Sequence, residues 1–357
     1  MLNVPEISSG SLGRFRDFPQ EIHVYDFPRW KWPVIRQCFP GLKVHFLRSG
    51  SSIPVSACLV LWGMAPLPPG AGNDVRVLRV EDGFMRSVGL GAELVRPMSW
   101  VVDSQGIYYD ATRPSDLEEI LSTLRFDEAQ QARAARLRAQ ILSAGLTKYN
   151  VGSRSWVRPS DSGRVILVPG QVESDASLAY GAPGVRTNLG LLQAVRSANP
   201  DAYLIYKPHP DVAARLRREG EGERDACNWC DEVVVDVPMD ALLSGVDEVH
   251  VMTSLAGFEA LLRGKSVTCY GQPFYSGWGL TNDLLSNARR VRRLALDELV
   301  AGALIIYPLY LRRDGMGLIE VEGAVAELAS WRQRKGSKEA WWKGIYRIFL
   351  RLFIGVR

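Results

Sequence analysis

The part of the chain that decides the fold lies at residues 164–210 and reads RVILVPGQVESDASLAYGAPGVRTNLGLLQAVRSANPDAYLIYKPHP. It predicts a strand at 164–168, a helix at 188–198 and a second strand at 202–206. Both strands are nearly continuous apolar runs, which is typical of strands buried on both faces of a parallel sheet. Because a helix connects them, the pattern indicates a βαβ unit and therefore an α/β fold.

Similar strand patterns occur on both sides of this unit. Before it, short apolar runs separated by Gly, Pro and Ser predict successive strands of another parallel sheet, at 22–25, 43–46, 58–62 and 75–80. After it, the chain predicts strands at 232–237, 248–252 and 266–270 and a helix at 256–263. We therefore expect two Rossmann-like, doubly wound lobes that face a central cleft.

A helical stretch and a linker separate the two sets of strands. Residues 115–144 are rich in Ala, Leu, Arg and Glu and open with the capping box Ser115-Asp116-Leu117-Glu118, which predicts a helix. Residues 150–163 contain Gly, Ser, Pro and Asp without periodicity, as linkers do. The expected organisation is an N-terminal lobe at 1–150, a linker at 151–163, a C-terminal lobe at 164–310 and a helical segment at 311–357.

The composition is that of an ordinary globular enzyme. A length of 357 residues fits two domains of about 150 residues, and 46% hydrophobic with 23% charged residues excludes a disordered or fibrous chain. The net charge of +4 gives no reason to expect a nucleic-acid groove. The five cysteines are too scattered for a disulfide framework, and Cys227 and Cys230 lack the second pair that a zinc site needs. We expect no metal site and no cofactor.

The cellular location is predicted from both ends of the chain. The first 14 residues lack a signal-peptide pattern, and no segment reaches the roughly 18 apolar residues that span a bilayer, so we expect a cytoplasmic body. Residues 331–357 contain eight Lys or Arg and one acid, Glu339, interleaved with aromatic residues. This pattern predicts an amphipathic helix in the interface of the inner membrane. A helix that packs against the body is the alternative.

A phosphate site is predicted after the strand at 202–206, at the sheet edge where open α/β folds bind ligands. The prolines on either side of His209 restrict the backbone and direct the imidazole, while Lys207 adds a cation. Lys207, His209 and Pro210 therefore suit a phosphate, and His209 would donate a hydrogen bond or a proton to a departing oxygen.

A second anion site is predicted where the strand at 248–252 leads into the helix at 256–263. Thr253 and Ser254 lie beside the unpaired first amides of this helix, so that their hydroxyls and the helix dipole favour an anion. A simple N-cap is the alternative, because Ser and Thr are common there in any helix.

Acidic residues follow a predicted strand in each lobe. Glu81 and Asp82 place a carboxylate at the cleft, where burial raises its pKa toward use as a general acid or base. Glu173 and Asp175, together with Gln171, follow the strand at 164–168, from which a carboxylate approaches an anomeric carbon opposite the leaving phosphate. Solvated turns and acidic surface loops are the alternatives.

Taken together, six segments of the chain resemble the capsule polysaccharide β-Kdo transferases of the KpsC type: VEDGFMRS (80–87), GIYYD (106–110), PGQVE (169–173), KPHP (207–210), TSLAGFE (253–259) and YGQPFY (270–275). The resemblance implies a GT-B-like fold and retaining transfer of Kdo from CMP-β-Kdo. It also implies an acceptor that is a phosphatidylglycerol-type lipid or already carries Kdo. Members of that family often contain two such modules, whereas this chain has room for one.

The resemblance also implies roles for the candidate residues. His209 would support the CMP phosphate, and Ser254 with Thr253 would bind the phosphate or the Kdo carboxylate. Glu81 or Asp82 would act on the acceptor hydroxyl. The remaining substrate-binding candidates are Arg86, Gln171, Glu173, Lys207 and Pro210.

The sequence leaves the nucleophile and the donor sugar open. Asp175 resembles the carboxylate proposed as nucleophile in the family, but Glu173 is only two residues away. A transferase that uses CMP-sialic acid is a second enzyme hypothesis, because the same phosphate elements serve both donors. A catalytically silent binding protein of capsule assembly is a hypothesis of a different class.

Overall fold

The computed structural model describes residues 19–90, 95–315 and 317–336. Its strands are β1 (Glu21–Tyr25), β2 (Lys43–Leu47), β3 (Cys58–Trp62), β4 (Arg76–Asp82), β5 (Ser99–Asp103), β6 (Val165–Pro169), β7 (Tyr203–Lys207), β8 (Glu232–Val233), β9 (Glu248–Val251), β10 (Ser266–Cys269), β11 (Asn282–Asp283), β12 (Pro308–Leu311) and β13 (Leu318–Ile319). Its α-helices are α1 (Trp32–Cys38), α2 (Asp116–Thr123), α3 (Glu128–Ser143), α4 (Ala176–Gly181), α5 (Asn188–Ala198), α6 (Pro210–Ala213), α7 (Met239–Gly245), α8 (Leu255–Leu262), α9 (Leu296–Val300) and α10 (Val321–Gly336). None of the helices within these ranges is long and apolar enough to cross a membrane.

The second sheet contains the predicted βαβ unit. Its strand order over the described residues is β11-β10-β9-β6-β7-β8, and its paired strands run parallel. The prediction of β6, α5 and β7 is confirmed to within one residue at each end. The prediction at 232–237 is too long, because β8 ends at Val233.

The first sheet is mixed, with the order β13-β12-β5-β4-β3-β1-β2 in the part of the chain that the structure describes. The four predicted strands are present, and β2, β1, β3 and β4 run parallel as expected. The unpredicted strands β5, β12 and β13 are antiparallel to their neighbours. Antiparallel pairing needs no crossover helix, so this half of the sheet departs from the predicted doubly wound pattern.

The helix predicted at 115–144 is wrong as a single element, because α2 ends at Thr123 and α3 begins at Glu128. Buried Phe126 occupies the connection, and Asp127 forms a complete capping box with Gln130 for α3. Ser115 caps α2 as predicted, but the Glu118 carboxylate pairs with Arg289 and Arg290 instead of completing its own capping box. A strong local N-cap and a buried aromatic side chain therefore interrupt a continuous helical composition.

The C-terminal segment returns to the first sheet. Pro308–Leu311 pairs with β5 although it falls at the end of the predicted second lobe, and Leu318–Ile319 pairs with β12. Helix α10 follows and packs on the body: Arg332 Nη1 donates to the Ala144 carbonyl at 3.0 Å, and the Arg313 guanidinium lies 4.4 Å from the Trp331 ring. The predicted amphipathic tail lies mostly at 337–357, outside the described residues.

Aromatic contacts join the loop after β4 to the second sheet. Phe84 stacks on Phe274 with ring centroids 4.5 Å apart and lies 6.2 Å from Phe258 of α8. All three side chains are buried in one hydrophobic cluster, which also includes Val165 and Leu167 of β6. This contact brings the carboxyl end of β4 close to the loops that follow β9 and β10.

Candidate functional site

A cavity of about 2160 Å³ lies between the carboxyl ends of β4, β6, β7 and β9. Its walls come from both sheets and from residues 142–153, which connect them. All of the predicted site residues except Glu173 line this cavity, namely Glu81, Asp82, Arg86, Gln171, Asp175, Lys207, His209, Pro210, Thr253 and Ser254. Residues that are up to 173 positions apart in sequence, such as Glu81 and Ser254, therefore share one space.

His209 presents a neutral imidazole to the cavity. Its Nδ1 accepts a hydrogen bond from the Asp211 amide at 3.2 Å, which leaves the ring proton on Nε2. Burial and, to a smaller extent, the positive charge of Lys148 together lower the pKa of His209 to about 3. At neutral pH this side chain is therefore a hydrogen-bond donor through Nε2 rather than a proton donor.

The hydroxyls at the start of α8 are held by a specific network. Ser254 caps α8 by accepting from the Ala256 amide at 3.3 Å, so the N-cap alternative describes part of its role. Gln171 binds Thr253 twice, accepting from its amide at 2.9 Å and donating to Oγ1 at 3.0 Å. Gln171 thus positions Thr253 against the loop after β6, and the Ser254 hydroxyl proton remains available to a ligand.

Lys207 and Pro210 line the cavity and also have structural roles beside it. The Lys207 ammonium donates to the carbonyls of Val235 at 3.1 Å and Val237 at 2.7 Å, although it was expected to meet a phosphate. Burial lowers the pKa of Lys207 to about 8, while the charge of Asp236 opposes the shift. Pro210 occupies the first turn of α6, where its missing N–H costs nothing.

The structure separates the two acidic candidates after β6. Glu173 accepts from the Asn188 amide at 2.7 Å with one carboxylate oxygen and from the Glu221 amide at 2.8 Å with the other. Both carboxylate oxygens of Glu173 therefore hold backbone segments in place, and Glu173 does not line the cavity. Asp175 lines the cavity, and its carboxylate makes no hydrogen bond to any part of the chain that the structure describes. Burial raises the pKa of Asp175, while Arg217 and Lys148 oppose the shift.

Glu81 and Asp82 also differ, and both lie inside β4 rather than after it, because the strand extends to Asp82. Successive strand residues point to opposite faces. The Asp82 carboxylate forms an ion pair at 2.5 Å with Arg86, whose side chain is almost fully buried. Arg86, expected to bind substrate, is thus engaged first with Asp82.

Glu81 is the less satisfied of the two acids. Its carboxylate accepts from the Asp82 amide at 2.9 Å and more weakly from the Tyr109 hydroxyl at 3.5 Å. Burial and, to a smaller extent, the charge of Asp82 together raise the pKa of Glu81 to about 7. A carboxylate with this pKa is suited to general base catalysis near neutral pH.

Sequence reasoning missed several charged residues of the cavity, among them Lys148, Asp211 and Arg217. The charge of Lys148 acts on Asp82 of β4 and on Asp175 at the start of α4. Burial raises the pKa of Asp211 to about 6, and its Oδ1 is buried without a hydrogen-bond partner among the described residues. Asp211 directly follows KPHP and Lys148 lies three residues before the predicted linker, so closeness to these segments was the signal that could have identified those two residues.

Asn150 brings Lys148 into the cavity. Its backbone has a φ of 51°, in the left-handed region that Asn tolerates better than most residues. Its side chain donates to the Ser87 carbonyl at 3.0 Å and accepts from the Thr147 amide at 2.8 Å. The start of the predicted linker is therefore a fixed turn rather than a flexible spacer.

The sequence profile of the family described as "Capsule polysaccharide biosynthesis protein" matches residues 70–151 and 155–311. The chain belongs to this capsule polysaccharide biosynthesis family. The match includes every candidate residue of the cavity discussed above, from Glu81 to Ser254. Two curated relatives show how far the similarity extends beyond the family profile.

The chain is 41% identical over 336 residues to the capsule polysaccharide modification protein LipA of Neisseria meningitidis serogroup B. The match covers 91% of this chain and 48% of LipA, so the chain spans about half the length of that relative. It is 42% identical over 318 residues to the lipopolysaccharide-processing protein LpsZ of Rhizobium meliloti, covering 84% of this chain and 72% of LpsZ. The family similarity therefore covers nearly the whole chain.

Two solved structures of KpsC from Thermosulfurimonas dismutans match this capsule family member. The β-Kdo 2,7 transferase has a TM-score of 0.72 and 41% identity, over 87% of this chain and 99% of that one. The β-Kdo 2,4 transferase has a TM-score of 0.73 and 31% identity, over 86% and 98% of the two chains. The chain therefore shares the mixed α/β architecture of a KpsC transferase module, and the recognition of a KpsC-type sequence is confirmed.

Proposed function

We propose that the protein is a retaining glycosyltransferase that moves β-Kdo from CMP-Kdo to a lipid-linked or Kdo-terminated acceptor in capsule or surface polysaccharide biosynthesis. The observation that carries the proposal is that His209, Ser254, Glu81 and Asp175 all line one cavity, where the Asp175 carboxylate makes no hydrogen bond to the described residues. The 41% identity to a β-Kdo 2,7 transferase along almost the whole of that chain supports Kdo as the sugar.

The donor would bind to the lobe built on the second sheet. The neutral His209 donates from Nε2 to a phosphate oxygen of CMP, and the Ser254 hydroxyl with the first amides of α8 meets the same negative charge. The charges of Lys148 and Arg217 act on Asp175, so they are also placed to attract the phosphate or the sugar carboxylate. The acceptor would bind to the lobe built on the first sheet, as in a GT-B-like arrangement.

The chemistry would proceed by double displacement at the anomeric carbon. In the first step an oxygen of Asp175 bonds to this carbon, the bond to the phosphate oxygen breaks, and CMP leaves with the bonding electrons. In the second step Glu81 removes the proton of the acceptor hydroxyl, whose oxygen bonds to the anomeric carbon while the bond to Asp175 breaks. Two inversions give net retention.

The proposal is tested by incubating the purified protein with CMP-Kdo and a short Kdo glycolipid. We expect a product heavier by one Kdo residue with β configuration, measured by mass spectrometry and NMR. The same yield is expected in EDTA, because His209, Ser254 and nearby cations can meet the phosphate charge. Transfer from CMP-sialic acid but not from CMP-Kdo would favour the sialyltransferase alternative. CMP binding without any transfer would favour the silent assembly protein.

We also propose that the body is cytoplasmic and binds peripherally to the inner membrane through its basic C-terminal residues. Because Trp331 and Arg332 pack on the body, the test removes only residues 337–357. The truncated protein should move from the membrane to the soluble fraction and still bind CMP, since the cavity residues stay intact. Unchanged membrane fractionation of a truncated protein that still binds CMP would contradict this proposal.

A further inference from the structure

Part of the cavity wall is formed by an ammonium group that lies among indole rings. The Lys31 Nζ lies 2.8 Å from the centroid of the Trp62 ring, 5.3 Å from that of Trp30 and 5.9 Å from that of Trp100. Trp30, Lys31 and Trp62 line the cavity, and Trp30 is 40% exposed. Trp100 is fully buried and supports Trp62 through an edge-to-face contact.

Among the described residues, the Lys31 ammonium has no direct anionic partner. It makes no hydrogen bond or ion pair with residues in the described ranges, so aromatic faces are its main contacts. Burial lowers the pKa of Lys31 to about 8, while the charges of Asp82 and Glu81 raise it and that of Arg86 lowers it. An ammonium group has three N–H donors, and here none of them is used by the described part of the chain. A partly desolvated cation in this state favours an incoming anion.

This group adjoins the proposed base. β3 ends at Trp62, and the next residue, Gly63, donates its amide to the Val80 carbonyl at 3.0 Å. A Cβ atom at Gly63 would lie 2.9 Å from Glu81 Oε2, so only glycine leaves this carboxylate oxygen its space. Trp62 is paired with Val80 across β3 and β4, and Glu81 is the next residue after Val80. Trp62 and Glu81 therefore lie at the adjacent ends of two neighbouring strands.

We propose that Trp30, Lys31 and Trp62 form the acceptor subsite, in which the ammonium binds an anionic group and the indoles contact the adjoining apolar surface. This inference rests on the proposed function and adds to it the chemical class that the acceptor presents. The anion is either the carboxylate of a terminal acidic sugar or the phosphodiester of a lipid headgroup. The position beside Glu81 places the acceptor hydroxyl next to its base.

The subsite is tested by direct binding, without turnover. Wild type, Lys31→Met and Lys43→Met are titrated with a soluble Kdo glycoside, with its methyl ester and with a glycerol phosphodiester. Methionine keeps the length of the side chain but removes its charge, and Lys43 is a matched control because it is exposed on β2, away from the cavity. CMP binding and the melting temperature of each variant show that the fold is intact.

We expect Lys31→Met to weaken binding of the glycoside at least about tenfold, since a charge-assisted hydrogen bond is lost. Lys43→Met should bind the ligands like wild type, and Lys31→Arg should retain part of the wild-type affinity. Trp30→Ala should weaken the binding of both anionic ligands. If the affinity for the glycoside depends on Lys31 but the affinity for its methyl ester does not, the anion is a sugar carboxylate. If only the affinity for the phosphodiester depends on Lys31, the anion is that of a lipid headgroup.

Equal affinities of wild type and Lys31→Met for both anionic ligands would overturn the subsite, as would a wild type that binds neither. A failure of the proposed function gives a different result. In that case the wild type does not transfer Kdo from CMP-Kdo, whatever the outcome of the acceptor titrations.

Discussion

Asp175→Asn should reduce Kdo transfer by about 1,000-fold or more, because an amide cannot form the glycosyl–enzyme bond. The carboxylate lines the cavity without a hydrogen bond to the described residues, so none of their hydrogen-bond donors competes with the anomeric carbon for it. CMP binding should be retained, because His209 and Ser254 are unchanged. The measurement is kcat with CMP-Kdo and a Kdo glycolipid, together with calorimetric binding of CMP.

Glu173→Gln is the matched control for this substitution. Both Glu173 oxygens accept from backbone amides outside the cavity, so a glutamine keeps one acceptor and turns an N–H group toward the other amide. We expect nearly normal turnover with a loss of stability of about 1–3 kcal/mol, measured by thermal denaturation. An inactive Glu173→Gln protein beside an active Asp175→Asn protein would reverse the assignment of the nucleophile.

The covalent intermediate offers a second measurement of the same prediction. With CMP-Kdo and no acceptor, the wild type should gain the mass of one Kdo residue, and the label should map to the peptide that contains Asp175. Asp175→Asn should gain no mass. A mass gain on any other residue would exclude Asp175 as the nucleophile even if the variant is inactive.

Glu81→Gln should lower kcat by about 100- to 10,000-fold, the usual contribution of a general base. The pKa of Glu81 is raised to about 7, so the carboxyl is protonated and inactive as a base below that pH and ionised above it. Transfer by the wild type should therefore increase as the pH rises through 7, and this increase should disappear in Glu81→Gln. The pH profile of kcat/KM reports this group in the free enzyme.

Asp82→Asn separates the two adjacent acids. Asp82 pairs at 2.5 Å with nearly buried Arg86, so its loss leaves a buried cation without its partner and destabilises the protein by about 3–5 kcal/mol. The remaining activity should still increase with pH, because Glu81 is unchanged, but the increase should occur at a lower pH, because the charge of Asp82 no longer raises the pKa of Glu81. If Asp82→Asn abolishes the pH dependence and Glu81→Gln retains it, the base is Asp82.

Local sequence patterns were sufficient to predict several parts of this molecule. The continuous apolar runs of β6 and β7, with an amphipathic helix between them, predict a parallel βαβ unit because period and length report burial directly. Since the strands of such a unit end at one sheet edge, residues as distant as Asp175, His209 and Ser254 could be predicted to meet.

Only the tertiary structure distinguished the roles of neighbouring residues. Glu173 and Asp175 have the same chemistry in sequence, and their difference arises because two amides from distant segments occupy Glu173. Lys31 and Lys148 stand in segments without a recognisable motif. They enter the cavity through the packing of Trp62 and the left-handed turn at Asn150, respectively.

β12 joins the first sheet by pairing with β5, about 200 residues earlier in the chain. Long-range contacts of this kind leave no local periodicity, which is why the sequence determined the scaffold and the tertiary structure determined the individual roles within its cavity.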